Sequence, residues 1–304
     1  MLTASRFALR RLFDRIQKLT ATSRVRGPVF VAGCPRSGTS ALGWAIAASP
    51  RYWTSVETHF FFGLLGDGGR NRVHDVFEAC RLEGSWLDTH EVPYCEFLSS
   101  IGSGLNSLML SRSNHLQWLD NSPENLLVAD DLLMMFPEAV VIHVIRDPRE
   151  VCASMMLSGF EREAWSYDID EAIATWKYYM ETGQSLRARH PDRVMEVMHA
   201  RMLQDPDALA SEISKFLTLK NARPIAQFLR TECVNSSYDA SSKLTHPGGK
   251  SISASRQQRE TFLNEKADYI LSHSQPYADD FGFGESRSLP RAPDLRRERK
   301  MAFS

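Results

Sequence analysis

The sequence lacks any apolar run approaching the ~18 residues needed to span a membrane as a helix. Cysteine is scarce: Cys34, Cys80, Cys95, Cys152 and Cys233 are odd in number, scattered, and contain no C-x-x-C. That speaks against a disulfide framework and a zinc site, so no metal is expected, and a reducing, cytoplasmic location suits the chain. No internal repeat is visible, which excludes a repeat architecture. Net charge is almost absent, at −1, but unevenly so. Residues 1–26 carry seven Lys/Arg against Asp14, and residues 287–304 carry six against Asp294 and Glu298, leaving −11 on residues 27–286. An acidic body is a poor general binder of DNA, RNA or highly sulfated polymers. No nucleic-acid partner is therefore expected, and a bound anion must sit in a local pocket of N–H groups and a few arginines.

What is present is apolar content of 43%, enough for a packed core and too much for global disorder. The most informative stretch runs from Pro28 to Ala48. Val29-Phe30-Val31-Ala32 reads as a buried parallel strand, followed by the turn Gly33-Cys34-Pro35-Arg36-Ser37-Gly38 and an Ala-rich helix opening at Thr39-Ser40. A strand that runs through glycines into a helix N-terminus makes an anion site, because free N–H groups converge there and the helix dipole favours negative charge. The frame Gly33-x4-Gly38 is that of a P-loop, but Thr39 stands where its lysine is due. Arg36 is the loop's only cation.

The N-terminal segment, residues 1–27, spaces Leu9, Leu12, Phe13, Ile16 and Leu19 as a basic amphipathic helix without the uninterrupted apolar core of a secretory signal. Packing on the domain is the first expectation, and peripheral contact of residues 1–26 with an anionic membrane surface the second. Tyr52 to Val56 predicts a second strand, after which Glu57 and His59, two apart, share a face in extended chain. Residues 74–120 read as helical pieces interrupted by the turn-rich Ser99–Gly104. Trp118 to Asn125 predicts a helix start, with Ser122 as N-cap and Pro123 at the first helical position. Val140 to Ile145 predicts a central parallel strand in which His143 is a satisfied core residue. That strand ends in Arg146, followed by a helix-start signature with Asp147 as N-cap and Glu150 three residues on. Ser154 lies two turns further along this helix. A helix from Asp170, a strand from Arg193 to His199, a helix after Asp205-Pro206, a loop over Asn235–Ser255 and a helix over Arg256–Leu271 complete the reading. The succession predicts an α/β fold of three layers, a doubly wound, mostly parallel sheet with a P-loop-like nucleotide site, in one domain over residues 28–285. Residues 286–304 form a basic, irregular tail.

Taken in order, these motifs resemble those of sulfotransferases that use 3′-phosphoadenosine 5′-phosphosulfate (PAPS). The loop Cys34-Pro35-Arg36-Ser37-Gly38-Thr39-Ser40 is similar to the family's 5′-phosphosulfate motif, and Ile145-Arg146-Asp147-Pro148-Arg149 through Ser154 to its 3′-phosphate motif. Glu57-Thr58-His59-Phe60-Phe61 resembles the segment of carbohydrate sulfotransferases that carries the general base. The resemblance implies PAPS as co-substrate, bound by Arg36, Ser37, Gly38, Thr39, Ser40, Arg146 and Ser154, with Glu57 as base, His59 as the rival base, and Arg36 neutralising the leaving oxygen. It implies a small-molecule or glycan acceptor, with a sugar hydroxyl or glycolipid favoured. Two places depart from the family pattern. Asn121 stands where many carbohydrate sulfotransferases have lysine, and the late Arg-Lys-Gly loop is absent, with Gly248-Gly249-Lys250 or Arg256 as candidate substitutes. The competing readings are a P-loop kinase or NTPase, which would want lysine at Thr39 and an acidic Mg²⁺ ligand ending a strand, and a non-catalytic nucleotide-binding scaffold of the same fold.

Overall fold

The computed structural model describes residues 27–67, 70–157, 168–232 and 256–284. The N-terminal basic segment over 1–26, the 235–255 loop with Gly248-Gly249-Lys250, and the 286–304 tail lie outside them.

Five strands form one parallel sheet: β1 (Val29–Gly33), β2 (Tyr52–Thr54), β3 (Gln117–Asp120), β4 (Val140–Ile145) and β5 (Val194–Met198). Their spatial order is β2-β3-β1-β4-β5. Side chains alternate along β1 and β4, as the pleat requires. Phe30, Ala32, Val141 and Ile145 enter one buried cluster, and Val29, Val31, Val140, Ile142 and Val144 enter the other. Both faces are therefore covered, which is why these strands read as continuous apolar runs.

The helices used below are, in chain order, α1 (Thr39–Ala47), α2 (Phe60–Leu65), α3 (Tyr94–Arg112), α4 (Ala129–Met135), α5 (Pro148–Leu157), α6 (Ile169–Arg189), α7 (Pro206–Phe216), α8 (Arg223–Thr231) and α9 (Arg256–His273). Leu42 and Ile46 of α1, Leu209 and Ile213 of α7, and Ile225 of α8 cover one face. Phe61 of α2, Leu132 of α4, Val151 of α5 and Trp176 of α6 cover the other. On that second face Phe61 stacks on Trp118 at 5.6 Å between ring centroids, and Phe30 meets both edge-on at 5.4 and 5.7 Å. The expected three-layer α/β architecture is what the chain adopts.

Three local expectations are corrected. Gln117–Asp120 is a strand rather than the approach to a helix, and it fills the place between β1 and β2. Four residues are too few for periodicity to distinguish the two. Pro123–Val128 is a 3₁₀ turn rather than an α-helix and passes into α4; Ser122 stands at its N-cap position and Pro123 at its start as expected, but the Ser122 hydroxyl does not cap it. Ser99–Gly104 does not break the chain, for α3 runs unbroken through it. The intrinsic penalty of about 1 kcal/mol per glycine is offset by packing. Leu98 is fully buried, and Gly102 brings the helix against the Met135 carbonyl.

Candidate nucleotide and catalytic site

The sheet order sets the position of the site. From β1 the chain leaves towards β2 on one side, and from β4 it leaves towards β5 on the other, so β1 and β4 flank the point where the winding reverses. Open parallel sheets bind ligands at the carboxyl ends of such strands. Here those ends are the Gly33–Gly38 turn and Arg146.

The turn is tight because glycine stands at two crowded places. A Cβ on Gly33 would lie 2.5 Å from the Val144 carbonyl oxygen, and one on Gly38 would lie 2.7 Å from Cδ2 of His199. Gly38 adopts φ 96°, and Arg36, a residue with a side chain, is held at φ 72°. Left-handed backbone at a non-glycine position marks a conformation imposed by its surroundings. Helix α1 begins without a side-chain cap and without an acidic residue in its first turn. The Ser37 hydroxyl is buried without a partner among the described residues. An uncapped helix N-terminus beside an unsatisfied hydroxyl fits a bound anion.

Arg146 faces this turn across the reversal point. Its Nη1 donates to the Arg36 carbonyl at 2.7 Å and its Nη2 to Glu150 at 3.0 Å, while Nε is buried without a partner among the described residues. Its backbone carbonyl accepts the Trp176 indole N–H at 2.9 Å, tying the strand end to α6. Burial pulls the Arg146 guanidinium down to about 10. Arg36 donates from Nε to Ser154 Oγ at 2.9 Å, bringing two of the expected nucleotide ligands together. Asp147 caps α5 as expected, accepting the Arg149 N–H at 2.9 Å and also pairing with the Arg149 side chain. Glu150 does not complete a capping box; it turns to Arg146 and to Arg259 of α9.

Beyond β2 the chain presents Glu57, Thr58 and His59, which turns left-handed at φ 53° to start α2. Ser122 Oγ accepts the N–H groups of Thr58 and His59 at 3.0 and 3.1 Å, which explains why it does not cap its own turn. Glu57 accepts the Ser40 hydroxyl at 2.5 Å, and its other oxygen lies 4.0 Å from His59 Nε2. His59 Nδ1 is in contact with the Glu124 carboxylate. Burial raises the Glu57 carboxyl, opposed by the Ser40 hydrogen bond and by the charges of His59 and Arg36. The hydrogen bond to Glu124 raises His59, opposed by burial. Glu57 and His59 converge as expected, but through a turn rather than along a strand. The contacts Glu57–Ser40, Arg36–Ser154 and Arg146–Arg36 thus join three strand ends into one site.

The sequence model of the Sulfotransferase family matches residues 28–223. The chain belongs to the sulfotransferase family. A curated protein of Aquifex aeolicus (strain VF5), described as uncharacterized, is 22% identical over 217 residues, 67% of this chain and 27% of that protein. The chain thus spans about a quarter of the length of the curated relative it matches. Among solved structures, the sulfotransferase domain of the Synechococcus PCC 7002 olefin synthase is 17% identical, with a TM-score of 0.47 over 81% of this chain and 96% of that one. Sulfotransferase STF1 of Mycobacterium tuberculosis H37Rv is 17% identical, with a TM-score of 0.45 over 69% and 72%.

Four residues of this candidate site escape a reading of the sequence. Glu124 looks like an ordinary acid in a first helical turn, and Glu150 like half of a capping box. Arg259 lies among many charges of α9. His199 directly follows β5, and only the strand order brings it against Gly38. Burial, reinforced by the Arg146 charge, pushes His199 down to about 3, so it stands neutral beside the loop. Strand-end position is the one signal that could have found it. His143 is buried as expected but is not satisfied, since neither ring nitrogen has a partner among the described residues.

Proposed function

We propose that this chain moves the sulfuryl group of PAPS to an acceptor hydroxyl, with residues 28–285 as the transferase domain. The observation that carries the reading is the Ser40–Glu57 hydrogen bond. It sets the Glu57 carboxylate beside the uncapped start of α1, which supports a base held next to a site for a charged donor.

PAPS supplies the group transferred: the acceptor oxygen bonds to sulfur as the bond from sulfur to the 5′-phosphate oxygen breaks, and that bond's electron pair stays on the phosphate. The N–H groups of Ser37, Gly38, Thr39 and Ser40 hold the 5′-phosphate, and Arg36 neutralises charge growing on the leaving oxygen. Arg146 and Ser154 hold the 3′-phosphate and so select this nucleotide over ATP. Glu57 takes the acceptor proton. The Ser40 hydroxyl donates to Glu57, so Ser40 serves the phosphate through its N–H and the base through its side chain. A sugar hydroxyl of a glycan or glycolipid is the acceptor that the Glu57-Thr58-His59 pattern favours. A membrane-surface acceptor would suit the basic residues 1–26. Among the described residues, no helix is long and apolar enough to cross a membrane.

Release of 3′-phosphoadenosine 5′-phosphate from PAPS, followed with a panel of hydroxyl acceptors, tests the proposal. Glu57→Gln is expected to lower kcat by about 10²–10⁴-fold while leaving the affinity for the product nucleotide unchanged. Full activity in that variant would remove Glu57 from the mechanism.

A further inference from the structure

The His59 ring is held by more than its own segment. The backbone N–H groups of His59 and Thr58 are fixed on Ser122, and the Thr58 hydroxyl donates to Asp120 at 2.5 Å. Glu124, 65 residues downstream and only 15% exposed, meets Nδ1. With Nδ1 engaged, the remaining nitrogen, Nε2, faces Glu57 at 4.0 Å. A carboxylate–imidazole pair whose imidazole is 57% exposed adds only about 0–1 kcal/mol to folding, so stability alone is a weak reason for this arrangement.

We propose that Glu124 is a positioning residue for the transfer: it holds His59 as a standing cation beside Glu57, so that Glu57, and not His59, takes the acceptor's proton. This rests on the sulfuryl-transfer reading. In the step, the acceptor O–H bond breaks and its proton goes to a Glu57 oxygen. The freed electron pair forms the bond to sulfur, and the pair of the broken sulfur–oxygen bond leaves on the phosphate. His59 keeps both N–H groups throughout.

The surrounding charges fit this division. Glu57 from the same segment, Glu124 from the 3₁₀ turn and Asp120 from the end of β3 all favour the charged imidazole. Glu57 is under the opposite pressure, because burial favours its neutral form and Glu124 adds to that. Ser40 of α1, Arg36 of the loop and His59 act against it. A neutral His59 would withdraw one of those supports and leave less of the ionised base near neutral pH.

Glu124→Gln keeps the shape and removes the charge. Two readouts separate the outcomes. In the first, the His59 imidazole resonances, assigned by their loss in His59→Gln, are titrated by NMR. The variant is expected to titrate at lower pH than the wild type, and an unchanged titration overturns the proposal. Losing the Glu124 charge by itself lowers Glu57, but losing the larger effect of the His59 charge raises it. In the second readout the acid limb of kcat/KM against pH is therefore expected to move to higher pH, by about one unit at most, which is a fall of up to about tenfold on that limb. That is less than the ~10²–10⁴-fold from losing the base itself. Glu124→Asp, which keeps the charge, is expected to return the limb to its wild-type place. Unchanged binding of 3′-phosphoadenosine 5′-phosphate checks that each variant is folded. A limb that moves to lower pH, whether because His59 is the base or because Glu57 feels Glu124 more than it feels His59, overturns the proposal, and so does a loss of rate with no movement. If the wild type transfers no sulfuryl group, the transfer reading falls and the proposal with it, whatever the NMR titration shows of the Glu124–His59 contact.

Discussion

At the scale of single residues, the site spends its polar groups unequally. Ser40, Glu57, His59 and Glu124 are linked, whereas Ser37 Oγ and Arg146 Nε are buried without partners among the described residues. Unsatisfied buried polar atoms cost roughly 1–3 kcal/mol each, and at a strand-end anion site a ligand can repay that cost. His143 presents the same orphaned chemistry at a place no ligand needs. It is fully buried in β4 and packed against Gly183, and burial pushes it down to about 3. Because its folded value lies below the unfolded 6.5, the unfolded chain binds the extra proton. Its contribution is therefore fully present above about pH 6.5 and is lost as the pH falls towards 3, by about 1.4 kcal/mol per pH unit. Urea unfolding of wild type and His143→Leu between pH 6.5 and 5 measures this. The variant is expected to show the flatter dependence, with the slope due to His199 remaining in both. Equal slopes would mean that His143 is not held neutral.

At the scale of elements, α3 shows where packing overrules propensity. Ala at position 102 would place its Cβ 2.0 Å from the Met135 carbonyl oxygen, whereas position 104 has nothing within 4 Å. Gly102→Ala is expected to destabilise by about 1–3 kcal/mol through overpacking, and Gly104→Ala to stabilise by up to about 1 kcal/mol through helix propensity. Thermal or urea unfolding of the two variants checks the opposite signs, and a shared sign would contradict the placement of α3 on α4. The same helix shows what a sequence conceals. Ser99–Gly104 carries every local mark of a turn, and only the groove it fills makes it helical. β1, β4 and the start of α5 were legible because their signals are local: apolar runs of the right length and a capping Asp before Pro. β3 was not, being four residues long and defined by its two neighbours.

At the scale of the whole molecule, the candidate site was legible as a set of residues but not as a set of contacts. Arg36 and Ser40 stand in one motif, Glu57 in a second, and Arg146 and Ser154 in a third, and the sheet order joins the three. Glu124, His199 and Arg259 come from elements whose approach depends on that order, so no local pattern announces them. Asn121 is a further case. It is buried against Gly43 with neither amide atom partnered among the described residues, and nothing in the structure explains it.

The central claim is that the loop after β1 and the arginine after β4 form one nucleotide site. Calorimetric titration with 3′-phosphoadenosine 5′-phosphate tests it most directly, in wild type, Arg36→Ala and Arg146→Ala, beside ATP with Mg²⁺. The wild type is expected to bind the bisphosphate tightly and ATP with little affinity, and each variant to bind the bisphosphate at least about tenfold more weakly. Preference for ATP with Mg²⁺, or bisphosphate binding that neither substitution disturbs, would contradict it.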